Sequence, residues 1–244
     1  MLSWFRKEEP LDSRLTLPFV DIHSHLLPGL DDGVQSFEES EAVIRNFQRL
    51  GYKKLITTPH VMSDFFRNTD EDIARKLNEV NLMLEQKHID VTLEAAAEYY
   101  LDEALIKKIE SDSPLLTFGK KYLLFETNFM TEPFNLKEFI FLANTKGYKP
   151  VLAHPERYLY LQSNFKKAED LVDRGVLFQI NISSLSGYYS KGAQTTAQKL
   201  IDQKYIHFLG SDCHNLQHVK LLEETRRHKY FQKAISLSLL NNSL

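Results

Sequence analysis

Histidines and carboxylates in this chain recur at positions from which they could be gathered into a metal centre. The stretch Val20-Asp21-Ile22-His23-Ser24-His25-Leu26-Leu27-Pro28-Gly29-Leu30-Asp31-Asp32-Gly33 carries two imidazoles two residues apart, then a Gly/Pro turn with two carboxylates. Alternate residues of a strand share a face, so His23 and His25 are expected to point together as half of a metal site. The other half comes later: His60, Glu98, Glu126, His154, Asp212 and His214 all follow short apolar runs. Carboxylates mixed with imidazoles, without thiolates, suit Mn²⁺, Fe or Zn²⁺. So many donors exceed the needs of one ion, so two or three ions are expected to share them, with one carboxylate bridging. Two ions about 3.5–4 Å apart supply a nucleophile and neutralise phosphoryl charge together, so the expected chemistry is phosphate-ester hydrolysis.

Such a cluster needs elements that bring distant residues to one place. A first strand is expected at 19–23, after an N-terminal arm over 1–18. Ser36 and Glu39 read as a capping box for a helix that carries Ala42, Val43, Phe47 and Leu50 and stops at Gly51. Lys54 to His60 reads as the second strand, making a βαβ unit and hence a parallel sheet. The pattern then repeats. Thr69 caps a helix to Gln86, and strands are expected at 91–98, 122–126, 150–154, 176–181 and 206–212. The intervening helices cover Asp102–Glu110, Asn135 to Gly147, Ser163 to Gly175 and about Ala193–Gln203, with more helix after the last strand. Seven βα units in a single domain, 19–244, predict an α/β barrel one unit short of eight; a doubly wound open sheet is the alternative. The strand ends of a parallel barrel share one face, where the eight side chains would form a cup. His88, His207, His218 and His228 do not fall at such ends and are read as structural or surface residues.

Composition narrows the classes. The chain has 244 residues, 43% hydrophobic and 26% charged, with a net charge of −3. No basic run argues for nucleic acid, and no stretch approaches the length of a membrane span. Met1 to Lys7 lacks the apolar core of a signal peptide. The single cysteine, Cys213, excludes an internal disulfide framework and fits a reducing, cytoplasmic setting.

His23-Ser24-His25, Asp31-Asp32-Gly33, Thr58-Pro59-His60, Ala97-Glu98-Tyr99-Tyr100, Glu126, His154-Pro155-Glu156-Arg157 and Ser211-Asp212-Cys213-His214-Asn215-Leu216 resemble the PHP (polymerase and histidinol phosphatase) superfamily. Within it they are most similar to bacterial protein-tyrosine phosphatases of capsule and exopolysaccharide operons, over about residues 19–220. The resemblance implies a distorted (β/α)7 TIM-like barrel with a three-metal site, usually manganese-dependent. It implies that His23, His25, Glu98 and Asp212 hold one ion, and that Glu98 bridges to a second held with Glu126 and His154. His60, His214 and one of Asp31 and Asp32, with Asp32 slightly favoured, would hold the third. The implied substrate is a phosphotyrosine-bearing protein tail, such as that of a bacterial tyrosine kinase controlling polysaccharide export. A histidinol-phosphatase type of metabolite phosphatase and a non-catalytic metal-binding module are the alternatives.

Arg157, three residues past His154, can fork two donors onto a phosphate, against the alternative of a surface ion pair. Many relatives carry a second arginine after the last motif, where this chain has Gln217, His218, Val219 and Lys220; either Lys220 replaces it or phosphate is held more weakly. Tyr99, Tyr100, Phe65, Phe66, Phe129 and Tyr158 are candidates to flank an aromatic substrate. Asp21 shares the parity of His23 and would either orient a ligand or be a buried structural carboxylate. Cys213 is not expected to be a nucleophile, because a Cys-x5-Arg cradle would need arginine where Val219 stands. Its parity also turns it away from the cup.

Overall fold

The computed structural model describes residues 20–244, and the expected arm over 1–18 and Phe19 lie outside the described residues. The strands are β1 Val20–Asp21, β2 Lys54–Thr57, β3 His60–Val61, β4 Thr92–Ala95, β5 Glu98–Tyr100, β6 Tyr122–Glu126, β7 Lys149–Ala153, β8 Leu177–Asn181 and β9 Phe208–Gly210. All pair in parallel, in the orders β1-β2-β4 and β3-β5-β6-β7-β8-β9.

Nine strands nevertheless make seven βα units. β2 and β3 are two halves of the expected second strand, interrupted at Thr58-Pro59, where proline has no N–H to donate to a ladder. β4 and β5 are likewise halves of the third. Hydrogen bonds span both breaks: Thr58 N donates to Ser24 O (2.7 Å), Ala96 N to Thr57 O (2.9 Å) and Glu98 N to Pro59 O (3.1 Å). The sheet curls until its ends meet. Ser24 bridges Cys213 in parallel, His25 N donates to Cys213 O and Asp212 N to His23 O. The result is the distorted (β/α)7 barrel, and the open-sheet alternative falls to these closing bonds.

The helices form the outer layer. They are α1 Phe37–Arg49, α2 Asp70–Gln86, α3 Glu103–Glu110, α4 Leu136–Thr145, α5 Leu159–Ser163, α6 Lys166–Asp173, α7 Lys191–Asp202, α8 Leu216–Thr225 and α9 Lys229–Ile235. Ser36 Oγ caps α1 through Glu39 N, but Glu39 reaches back to Gln35 N, so the expected box is only half formed. The full capping box is at Thr69 and Asp72. Ser163 ends α5 instead of opening the next helix, and Asn135 makes no side-chain cap bond. Among the described residues, no helix is long and apolar enough to cross a membrane.

Strand alternation divides the core. Tyr122 and Leu124 join Ile22, Ile56, Val151, Ala153 and Phe208 in a cluster inside the barrel. Leu123 and Phe125 join the larger cluster beneath the helices, where the Phe125 ring lies 4.7 Å from that of Phe139. Continuing the inward parity one step past Leu124 puts Glu126 at the open end.

Candidate metal centre

At that open end the strand termini deliver nine donors in four overlapping groups: His25/Asp32/His60/His214, His23/His25/Asp212, His23/Glu98/His154 and His60/Glu98/Glu126. Donor atoms within each group lie within 4.8 Å of one another. Every expected residue of the cup is present except Asp31.

Glu98 is the hub. Its Oε2 lies 3.0 Å from His23 Nε2, 3.3 Å from His60 Nδ1 and 3.5 Å from His25 Nε2, and its Oε1 lies 3.0 Å from His154 Nε2. Burial opposes its charge, but the His23 and His60 imidazoles hold its carboxyl well below the usual range. The same trade governs Asp212, held low by His23 despite burial. His23 is raised to about 9, because Glu98 and Asp212 outweigh the burial that opposes its charge. Cations in the cup would take the place of these protons.

The two turn aspartates have different geometry. Asp31 is buried, with Oδ2 accepting from His25 Nδ1 (2.7 Å) and His60 N (3.0 Å) and Oδ1 accepting from Gly33 N. Asp32 directs Oδ1 toward His214 Nε2 (3.4 Å) and His60 Nε2 (3.6 Å). Gly33 closes this turn because a Cβ there would lie 2.3 Å from His25 O.

His154 reaches the cup by a backbone device. Val151 and Ala153 face the interior, so strict alternation would send His154 outward. His154 adopts a left-handed conformation (φ 35°), which re-aims it at the open end; Asp212, already inward by the parity of Phe208, is left-handed too (φ 51°). For non-glycine residues this costs roughly 1–2 kcal/mol each.

Strand six was expected to provide no donor, and β8 instead provides orientation. Gln179 Oε1 accepts from His23 Nδ1 (2.8 Å), Gln179 Nε2 donates to Asn181 Oδ1 (2.9 Å), and Asn181 Nδ2 donates to Asp212 Oδ2 (2.6 Å). Amides at alternate positions of a buried strand were the available signal in the sequence. Tyr189, whose hydroxyl also donates to Asp212 Oδ2 (3.1 Å), gave none. Behind them Glu156 is fully buried, accepting from Asn181 N and Ser184 Oγ, and burial pushes it up to about 7.

Arg157 is both an ion-pair partner and part of the cavity wall. Its Nη1 donates to Asp212 Oδ2 (3.0 Å), and its guanidinium lies 4.2 Å from the Tyr189 ring centre and 4.7 Å from that of Phe129. The cavity above the donors holds about 730 Å³ and is also lined by His218. His218 is therefore no remote surface residue. The first turn of α8 folds back over the cup, with His214 N donating to His218 Nδ1 (3.3 Å). Lys220 is exposed and outside this lining.

The other candidates separate cleanly. Phe66 stacks on His60 (5.4 Å) and Phe129 on His154 (5.7 Å). Tyr99 and Tyr158 are buried, and their hydroxyls bond Leu116 N and Thr127 N. Tyr100 is half-buried, and Phe65 is exposed. Asp21 clasps Ser211 N and Oγ (both 2.8 Å), while His23 Nδ1 is bonded to Gln179, and burial raises Asp21 to about 7. Cys213 is buried in the outer cluster, with its thiol pushed up by burial.

The donor set fits divalent cations. His60 Nδ1 lies 3.3 Å from Glu98 Oε2 and 3.2 Å from Glu126 Oε1 without making a hydrogen bond to either, and His23 Nε2 and His25 Nε2 face each other at 3.4 Å. Buried polar atoms normally find partners, so a converging set left short of them suits a metal centre.

Comparison with known proteins agrees with this geometry. The family described as capsular polysaccharide synthesis, CpsB/CapC, matches residues 19–234. The tyrosine-protein phosphatase CpsB of Streptococcus pneumoniae is 31% identical over 203 residues, 81% of this chain and 83% of that protein. The tyrosine-protein phosphatase YwqE of Bacillus subtilis is 29% identical over 198 residues, 81% of this chain and 78% of that protein. A solved structure from work on YwqE and CpsB, described as metal-dependent tyrosine phosphatases, superposes with a TM-score of 0.80 at 27% identity. It covers 91% of this chain and 94% of that one.

Proposed function

The chain belongs to the CpsB/CapC family, and on that footing we propose that it is a metal-dependent protein-tyrosine phosphatase of capsular polysaccharide synthesis. The observation that carries this reading is the overlap of four donor groups, linked in turn by the shared residues His25, His23, Glu98 and His60, beside an arginine in one cavity. His23, His25, His60, Glu98, Glu126, His154, Asp212, His214 and Asp32 would hold two or three divalent ions, manganese before iron or zinc. When bound, such ions activate water and neutralise phosphoryl charge.

The chain's own groups do the rest. Gln179 and Asp31 fix the rings of His23 and His25 by bonding each Nδ1, leaving each Nε2 to the cup. Asn181, Tyr189 and Arg157 occupy Asp212 Oδ2, which leaves Oδ1 facing the imidazoles. Arg157, held between Tyr189 and Phe129, offers its remaining N–H groups to a phosphate entering the cavity. A phosphotyrosine ring would enter between the aromatic walls, with the phosphate toward the donors.

The physiological substrate in this proposal is a phosphotyrosine tail of a bacterial tyrosine kinase, in the cytoplasm. The test is turnover of a phosphotyrosine peptide against histidinol phosphate, with Mn²⁺ added and with chelator. Preference for the peptide with Mn²⁺ supports the reading; preference for histidinol phosphate overturns it in favour of a metabolite phosphatase.

A further inference from the structure

Tyr188 and His218 meet on the wall of the catalytic cavity, outside the four donor groups. Tyr188 lies on the connection between β8 and α7, and His218 lies in the first turn of α8, which Asn215 Oδ1 pins by accepting from Gln217 N and His218 N. Tyr188 Oη is 3.2 Å from His218 Nε2, and the two rings meet edge to face at 5.5 Å. A second edge contact, with ring centres 5.0 Å apart, seats Tyr188 on Tyr189, against which the Arg157 guanidinium lies. Arg157, Tyr189, Tyr188 and His218 therefore form one continuous wall.

The backbone decides where the protons of this wall sit. His214 N donates to His218 Nδ1 (3.3 Å), so that nitrogen is bare. Asp212 O also lies 3.3 Å from His218 Nδ1, but it already accepts from His214 Nδ1 at 2.9 Å. An amide left without an acceptor is costly, whereas Asp212 O is served either way. A neutral imidazole with a bare Nδ1 carries its proton on Nε2. His218 Nε2–H thus donates to Tyr188 Oη, and a hydroxyl that accepts keeps its own O–H to give. Among the described residues, no group receives that proton.

Position selects what it meets. The phosphate of an aryl phosphate is drawn to the buried donors, and its ring trails toward solvent. Glu98 at the floor is fully buried, while Tyr188 is 47% exposed at the mouth. The oxygen that joins phosphorus to the ring lies between these levels. When that bond breaks, the departing oxygen is as basic as a tyrosinate, with a pKa of about 10, and leaves poorly without a proton.

We propose that Tyr188, oriented by His218, gives its hydroxyl proton to the phenolic oxygen leaving phosphotyrosine. Tyr188 is then a catalytic residue and His218 a positioning residue. As the oxygen of water bonds to phosphorus, the bond from phosphorus to the tyrosine oxygen breaks, and that oxygen takes the Tyr188 proton. The anionic Tyr188 oxygen is held by His218 Nε2–H and regains a proton from solvent at the mouth. This rests on the phosphotyrosine reading and adds the group that releases the product.

The test follows kcat of the metal-loaded enzyme along a series of substituted phenyl phosphates. The series runs from p-nitrophenyl phosphate, whose oxygen leaves with little help, to phenyl phosphate, whose oxygen needs a proton. In Tyr188→Phe the loss should grow along the series, from a few-fold to about 100-fold, with KM moving less. His218→Asn keeps an acceptor near His214 N but does not reach Tyr188, and should lose about tenfold on phenyl phosphate. Both variants should bind as many ions as the wild type by elemental analysis, which shows a folded and complete cup. A loss in Tyr188→Phe that is equal across the series, or absent, overturns the proton donor and leaves the phosphotyrosine reading standing. Fewer bound ions in Tyr188→Phe overturn it in the same way. Wild-type enzyme that hydrolyses histidinol phosphate but no aryl phosphate overturns both.

Discussion

Asp31 Oδ2 lies 2.7 Å from His25 Nδ1, and this contact decides which nitrogen of His25 faces the cup. The neighbouring Asp32 points elsewhere, toward His60 and His214. Two adjacent carboxylates therefore have separable roles, and substitution should separate them. Asp31→Asn is expected to weaken metal affinity about 10–100-fold while keeping the number of ions at saturation. Asp32→Asn is expected to lower that number by one. Titration monitored by elemental analysis distinguishes the two, and the reverse pattern would exchange their roles.

Glu98 touches four imidazoles, so its loss should be felt by more than one ion. Glu98→Ala is expected to lose bound metal and hydrolysis together, and a strong chelator should abolish turnover of the wild type until Mn²⁺ is returned. Full activity in protein shown by elemental analysis to be metal-free would refute the metal mechanism.

Removing Arg157 takes away both a phosphate donor and a partner of Asp212. Arg157→Ala should raise KM and lower kcat, for a combined loss of about tenfold or more in kcat/KM. Arg157→Lys should restore little, because an ammonium does not reproduce a planar group held between Phe129 and Tyr189. Unchanged steady-state constants in the alanine variant would return Arg157 to a purely structural ion pair.

Cys213 is buried among the outer apolar residues, and its thiol is pushed away from ionisation. Cys213→Ser should keep most of kcat at a stability cost of about 1–3 kcal/mol for the buried hydroxyl. A trapped phosphocysteine, or a folded and fully metallated but inactive serine variant, would contradict this.

His207 allows a pH prediction remote from the cup. Burial lowers its pKa, and its Nδ1 accepts from Phe178 N (3.1 Å). Below the ordinary histidine pKa of about 6.5 the unfolded chain binds the proton more readily, so stability is present above that pH and falls as pH drops. His207→Asn keeps an acceptor without titrating. Its urea midpoint should fall less than that of the wild type between neutral and mildly acidic pH; parallel falls would exclude His207 as a contributor.

Much of this was legible in the sequence because parallel βα repeats carry a two-residue period that aims side chains. Glu126 follows from Tyr122 and Leu124, and Glu98 from Ala96, by parity alone. His154 was legible as a strand-end residue but not by parity, since a left-handed residue departs from alternation and one sequence does not show φ. Asp31 and Asp32 were indistinguishable because a turn fixes side-chain direction through its own hydrogen bonds. His218 and Tyr189 come close to the cup only through the packing of α8 and the connection before α7, which no local pattern encodes.

The barrel closes where β1 meets β9, at one bridge and two backbone hydrogen bonds, and Asp21 clasps Ser211 across that seam from 190 positions away in the chain. His23 and His25 stand on one side of the seam, Asp212 and His214 on the other. Cations shared across it would act as a cross-link between the two ends of the fold, comparable to a disulfide closing a very long loop. A cross-link closing a loop of about 100 residues removes roughly 4.7 kcal/mol of unfolded-chain entropy, and longer loops remove slightly more. Metal-stripped protein should therefore fray first at this seam, with amides of His25 and Asp212 exchanging with solvent ahead of those in β6 and β7. The reaction centre would then also be the clasp that keeps the barrel shut.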